Sequence, residues 1–166
     1  MTESKYGHLF VKDARSADED YADANGENTK LPNVGPGLAL AGVREYPDTK
    51  VFSTAAILTP SDERTLWVPP HQHNYDELIS WIGTNPDDPW DLGAELFMTI
   101  EGEEHIITKT GSVYVPAGTE HCPLGWNWIK RPFVFTITFM SQQYQTDEHE
   151  RKRAAERAAA EAAAGQ

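Results

Sequence analysis

The sequence predicts an all-β domain, and three observations carry that prediction. Short runs of β-branched and aromatic residues recur between residues 38 and 140, separated by Gly, Pro, Asn and Asp. No apolar repeat of helical period lies between them. In the last run Phe133, Phe135, Ile137 and Phe139 alternate with Val134, Thr136, Thr138 and Met140, the two-residue period of a strand with one strongly apolar face. Many short strands of this kind make a sandwich or a barrel.

Taken in order, residues 1–35 form a polar N-terminal arm. Its apolar patch at Tyr6, Leu9, Phe10 and Val11 is expected to add a strand to the barrel edge, and residues 13–30 are expected as loop or partly disordered chain. Pro32, Pro36 and the glycines beside them punctuate entry into a barrel domain at 36–145. Strands are predicted at 38–43, 51–58, 65–68, 77–82, 95–100, 105–108, 112–115 and 133–140, with a hairpin turn at 101–104. Residues 83–93 make a long acidic connection, either a lid or a solvated turn. The pattern then changes over 146–166. Asp147 and Glu148 open the segment, Glu148 and Lys152 stand four apart, alanine dominates, and Gly165 falls where a helix would stop. This predicts a C-terminal helix without a large apolar stripe, read as a solvated tail.

At 166 residues the chain suits one core with additions. Its 14 Lys and Arg against 26 Asp and Glu give a net charge of -12, which opposes contact with phosphate backbones and anionic lipid. No nucleic-acid or membrane partner is expected. Cys122 is the only cysteine, and the start MTESKYGHLF has neither a basic region nor a long apolar region, so a cytoplasmic protein is expected.

The most informative residues are His71, His73 and Glu77, followed far downstream by Pro116, Gly118 and His121. Alternate residues of a strand point the same way, so His71 and His73 can reach one ion. Glu77 can return to that face, and a Pro-x-Gly turn can aim His121 back at the pair. Three imidazoles and a carboxylate suit one borderline divalent ion such as Fe, Mn, Co, Ni, Cu or Zn. On an octahedral ion they leave two positions open, as catalysis requires.

In H-x-H-x-x-x-E at 71–77 and P-x-G-x-x-H at 116–121 the chain resembles the cupin superfamily. The resemblance spans about residues 37–141 and departs from the family at turns, with Thr65 in place of a glycine and Gly125 in place of an asparagine. It implies a double-stranded β-helix, or jelly-roll, barrel with a mononuclear metal at His71, His73, Glu77 and His121. It also implies a homodimer paired through sheet edges. The expected function is a metal-dependent enzyme acting on a small oxygen-containing organic molecule. The reaction would be a dioxygenation, or an isomerisation, lyase or decarboxylation step with the metal as Lewis acid. The alternative is a non-catalytic barrel that binds a metal or small ligand.

Further candidates follow from position. Glu95 could project beside Glu77 from a neighbouring strand and act as a base. Trp81 shares a strand face with Glu77 and could line the substrate pocket with Phe97 and Tyr75. Asp76 is read as a turn hydrogen-bonding group, His105 as a surface residue and Cys122 as packing.

Overall fold

The computed structural model describes residues 4–22, 28 and 30–164. The expected helix stop at Gly165 lies outside them, as do residues 23–27 and 29 of the arm. Among the described residues nine strands form two antiparallel sheets. They are β1 (Leu38–Ala41), β2 (Phe52–Leu58), β3 (Thr65–Val68), β4 (Glu77–Gly83), β5 (Asp91–Ile100), β6 (Glu103–Lys109), β7 (Gly111–Val115), β8 (His121–Ile129) and β9 (Phe133–Phe139), followed by α1 (Asp147–Ala164). One sheet has the order β1-β2-β9-β4-β7 and the other β3-β8-β5-β6, a jelly-roll sandwich.

The alternation in β9 has the expected consequence. Phe133, Phe135 and Phe139 point inward; Phe133 and Phe135 share a core with Trp126, Leu96, Met98 and Leu124 of the other sheet, and Phe139 packs in a second cluster with Phe52, Ala39 and Ala17. The hairpin between β5 and β6 turns at Glu101 and Gly102, both with positive φ, the two-residue geometry whose twist matches antiparallel strands.

Strand β8 is the element that local pattern did not predict. Pro123 and Gly125 interrupt its apolar residues, and a proline argues against a central strand. The fold accommodates Pro123, which follows a cis peptide bond, at a register irregularity: Met98 faces Leu124 while Ile100 faces His121, so β8 has one residue more than β5 between those pairs. Gly125 has a separate reason. A side chain there would land on the Thr65 carbonyl oxygen of β3 and within 2.6 Å of Phe97 Cζ.

Three other expectations are corrected. Strand β5 begins at Asp91 rather than 95, because the Asp-Leu-Gly start, with Gly93 at positive φ, reads locally as loop. The acidic connection is therefore only 84–90. It leaves the Gly83 end of β4, roughly 20 Å along the strand from Glu77 at ~3.3 Å per residue, so it is no lid over the ligands. The apolar patch at Tyr6, Leu9 and Phe10 adds no strand and stays exposed by 57%, 56% and 68%. Arg15 to Ala17 extend the β1 edge instead, through Ala39 N–H to Arg15 O at 2.9 Å and Ala17 N–H to Gly37 O at 2.6 Å.

Gly125→Ala should destabilise the fold by about 3 kcal/mol, the upper range for forcing an extra carbon into a packed core. Urea unfolding followed by tryptophan fluorescence measures it.

Candidate metal centre

The ligand-bearing loop 69–76 crosses from one sheet to the other at one end of the sandwich. Its first half prolongs β3: His71 and His121 exchange backbone hydrogen bonds at 3.0 Å in both directions. Its second half delivers Glu77 as the first residue of β4 in the opposite sheet. The turn at 116–119 closes from the third side, with Thr119 N–H bonded to Pro116 O at 3.2 Å and Gly118 at positive φ in its third position. Gly118 N–H also donates to His73 O at 2.8 Å. Asp76 braces this turn, its carboxylate accepting from Ala117 N–H at 2.8 Å and from the Tyr114 hydroxyl.

His73, Glu77 and His121 are brought together with their donor atoms within 4.8 Å of one another. Glu77 Oε2 lies 3.2 Å from His73 Nε2 and 3.0 Å from His121 Nε2, and the three side chains are only 1%, 3% and 1% exposed. His71 stands beside them and forms a second set with His121 and Cys122. Its ring centroid is 4.3 Å from that of His121 and 5.9 Å from that of His73.

The backbone decides which ring nitrogens face this centre. Nδ1 of His71 donates to Pro69 O at 3.0 Å, Nδ1 of His73 to Tyr75 O at 2.7 Å, and Nδ1 of His121 to Thr119 O at 3.0 Å. A carbonyl only accepts, so each Nδ1 carries the proton and each neutral ring keeps its lone pair on Nε2. For His73 and His121 those lone pairs face the Glu77 carboxylate, another acceptor. His121 Nε2 approaches to 3.0 Å without hydrogen-bond geometry, and His73 Nε2 at 3.2 Å can bond Glu77 Oε2 only if its ring takes up a second proton. Acceptors converging in a buried space need a cation, a proton or a metal ion.

The ionisation shifts agree. Burial works against the charge on Glu77, but the imidazoles of His121 and His73 hold its pKa below the usual carboxylate range. Burial likewise opposes protonation of His121, and Glu77 outweighs it and raises the pKa. His71, buried and next to His121, is pushed down to about 4, so it is neutral and able to ligate at neutral pH. Burial drives the Cys122 thiol well above its ordinary value, which keeps it protonated and a poor ligand. Its φ of 70° breaks strand alternation, which is how its sulfur comes near the histidines at all. The donor set of His73, Glu77 and His121, with His71 adjacent, fits a borderline divalent ion.

The other candidates are dispersed. Glu95 lies on β5, in the sheet opposite Glu77, and accepts a hydrogen bond from Asn127 at 2.9 Å. It pairs with Trp128, five residues along β5 from the Ile100 that faces His121, roughly 17 Å away. Trp81 shares the inward face of β4 with Glu77, as expected, yet sits roughly 13 Å along the strand. Its indole N–H donates to Lys109 O at 2.8 Å within the core. Phe97 is on the face of β5 opposite Leu96 and Met98, beneath the Arg64 guanidinium at 4.5 Å. Tyr75 alone of the expected pocket residues is at the centre, its ring stacked on His73 at 4.2 Å.

The aromatic wall that sequence reasoning missed comes from elsewhere. Phe139 meets the His73 ring edge-on at 5.8 Å, and Tyr144 meets His71 at 6.3 Å. Tyr21 packs on Phe52, Phe139 and Tyr144. Phe139 was legible as an inward residue of β9. Tyr21 ends a short 3-10 turn at Asp18–Tyr21 and Tyr144 lies outside regular structure, neither with a local signal.

This jelly roll, with imidazoles and a carboxylate on its split H-x-H-x-x-x-E and P-x-G-x-x-H segments at one end, has a cupin-like fold. No family profile matches the chain, and no curated protein matches it significantly. Among solved structures it is similar to a cupin superfamily protein from Desulfitobacterium hafniense, with 13% identity over 72% of this chain and 88% of that one, at a TM-score of 0.46. It is also similar to an oxalate oxidase, with 20% identity over 88% of this chain and 66% of that one, at 0.48. The corresponding values for KdgF from Halomonas sp. are 13%, 68%, 84% and 0.41.

His73→Ala and His121→Ala should each weaken metal binding by roughly 100-fold or more, beyond the ~10- to 100-fold span of lost outer-shell partners. Glu95→Gln should leave it within about twofold. Competition with a chromophoric chelator reads both.

Proposed function

We propose that the protein is a metal-dependent enzyme acting on a small oxygen-containing organic molecule. The observation that supports this reading most is the convergence of the His73 and His121 Nε2 lone pairs on the buried Glu77 carboxylate, with every Nδ1 proton committed to a backbone carbonyl. These residues would hold one divalent ion, with His71 completing the set. When bound, such an ion supplies Lewis-acid polarisation of a carbonyl or carboxylate oxygen or, if redox-active, chemistry with dioxygen. The chain's own contribution is to orient the ligands and to keep water from their inner side. Tyr75, Phe139 and Tyr144 form the apolar surface against which an organic substrate would lie.

Metal analysis by mass spectrometry should find near-stoichiometric transition metal that is lost in a His71→Ala, His73→Ala double variant. The loaded protein is expected to turn over at least one member of a panel of diketones, catechols, thiol acids and sugars, and Glu77→Ala to abolish that turnover. Inactivity of every metal form across the panel counts against an enzyme.

The proposal extends to a homodimer. The sequences of the five strands in the larger sheet contain one charged residue, Glu77, and it faces inward. The outer face instead carries Ile57, Val134 and Ile82 in one cross-strand row, on a chain of net charge -12. Light scattering should show a dimer that Ile57→Glu converts to monomer; a monomeric parent protein overturns this part.

A further inference from the structure

Apart from the Tyr144 ring, the segment 144–150 has no role in the site as described, yet it is bonded to the ligand loop residue by residue. His71 and His73 turn inward, and the residues that alternate with them turn the other way. Gln72 Nε2 donates to the Asp147 carboxylate at 2.5 Å, and Asp147 N–H returns a bond to Gln72 O at 3.1 Å. Asn74 Nδ2 donates to the Glu150 carboxylate at 3.0 Å. The Tyr75 hydroxyl donates to Gln145 O at 2.7 Å and accepts from Gln145 N–H at 2.8 Å, while its ring lies on His73 with an interplanar angle of 7°.

The segment is itself anchored at its far side. Thr146 N–H donates to His149 Nδ1 at 3.1 Å, so Nδ1 is the acceptor and Nε2 carries the proton, which goes to Ala22 O in the arm at 3.0 Å. This is the opposite tautomer to that of the three site histidines. Both ring nitrogens of His149 are engaged, and it is not a ligand. The expectation of a solvated tail is thereby corrected for the first turn of α1, which docks on the barrel; residues 151–160 are exposed as expected.

We propose that residues 144–150 are a positioning strap for the metal centre: through Gln72, Asn74 and Tyr75 they hold His71 and His73 in ligating orientation while contributing no ligand. This deepens the metal-centre reading and rests on it. Residues 69–76 have no regular structure beyond the His71 bridge. Without the strap, metal binding would have to order the loop, and the entropy of that ordering would be lost from the affinity. With it, the loop is ordered in advance, as a tightly held ligand set requires.

The test uses the full-length chain and Co(II), whose visible absorption reports ligand number and geometry. Asp147→Ala combined with Tyr75→Phe removes two of the three side-chain anchors, leaving that of Asn74 on Glu150, and keeps the aromatic ring on His73. Co(II) affinity is expected to fall roughly 10- to 100-fold, the span for lost outer-shell partners, with a changed visible band. The unfolding midpoint of the metal-free protein should move by only a few degrees. Asp147→Asn, which keeps an acceptor for Gln72, should restore most of the affinity lost in Asp147→Ala, and Arg157→Ala, farther along the helix, should change nothing. If the double variant proves unstable, Asn74→Ala and the Asp147→Asn rescue carry the same test. Co(II) binding and band unchanged in the variants overturn the strap alone. Absence of Co(II) binding by the parent protein overturns the metal centre and the strap with it.

Discussion

Each of the three site histidines gives its Nδ1 proton to a main-chain carbonyl, those of Pro69, Tyr75 and Thr119. The arrangement determines the tautomer and with it the chemistry, because the remaining lone pairs of His73 and His121 then face Glu77. An ionised carboxylate left unpaired at this burial costs roughly several kcal/mol. The cost is offset only by a positive charge between the acceptors. Backbone geometry two residues away from each histidine therefore sets the demand for a cation.

Delivering those groups to one point is the task of the sandwich. His71 and His121 belong to the ladder that prolongs the four-stranded sheet, and Glu77 belongs to the five-stranded sheet. The centre exists because the loop carrying the first motif crosses between the layers at the end where the sheets part. Phe139, the register partner of Glu77 on the adjacent strand, lies beside it and joins the ligands to the aromatic packing of Phe52 and Tyr21. The core and the site are thus continuous, and displacement of β9 would displace Glu77.

Much of the fold was legible locally. The alternation of β9, the hairpin expected at 101–104 and found to turn at Glu101 and Gly102, and the alanine-rich helix are short-range patterns, and each is present. Strand β8 was not, because Pro123 and Gly125 argue against a strand unless a register irregularity and a close neighbouring backbone are known in advance. Glu95 and Phe97 looked adjacent to the ligands only while β5 was free to lie beside β4. Once β5 belongs to the other sheet, with its Glu95 end far from His121, neither reaches them.

By itself, the sequence determined the strand periodicity, the acidic charge balance that opposes nucleic acid, and the two short motifs holding His71, His73, Glu77 and His121. All of these are properties of composition and of neighbours within a few residues. Only the tertiary structure decided that the motifs meet across two sheets, that Tyr144 and Tyr21 wall the centre, and that the first turn of α1 holds the ligand loop. Those relations join residues dozens of positions apart, 70 in the bond between Tyr75 and Gln145, and nothing in local periodicity specifies which distant segments will pair.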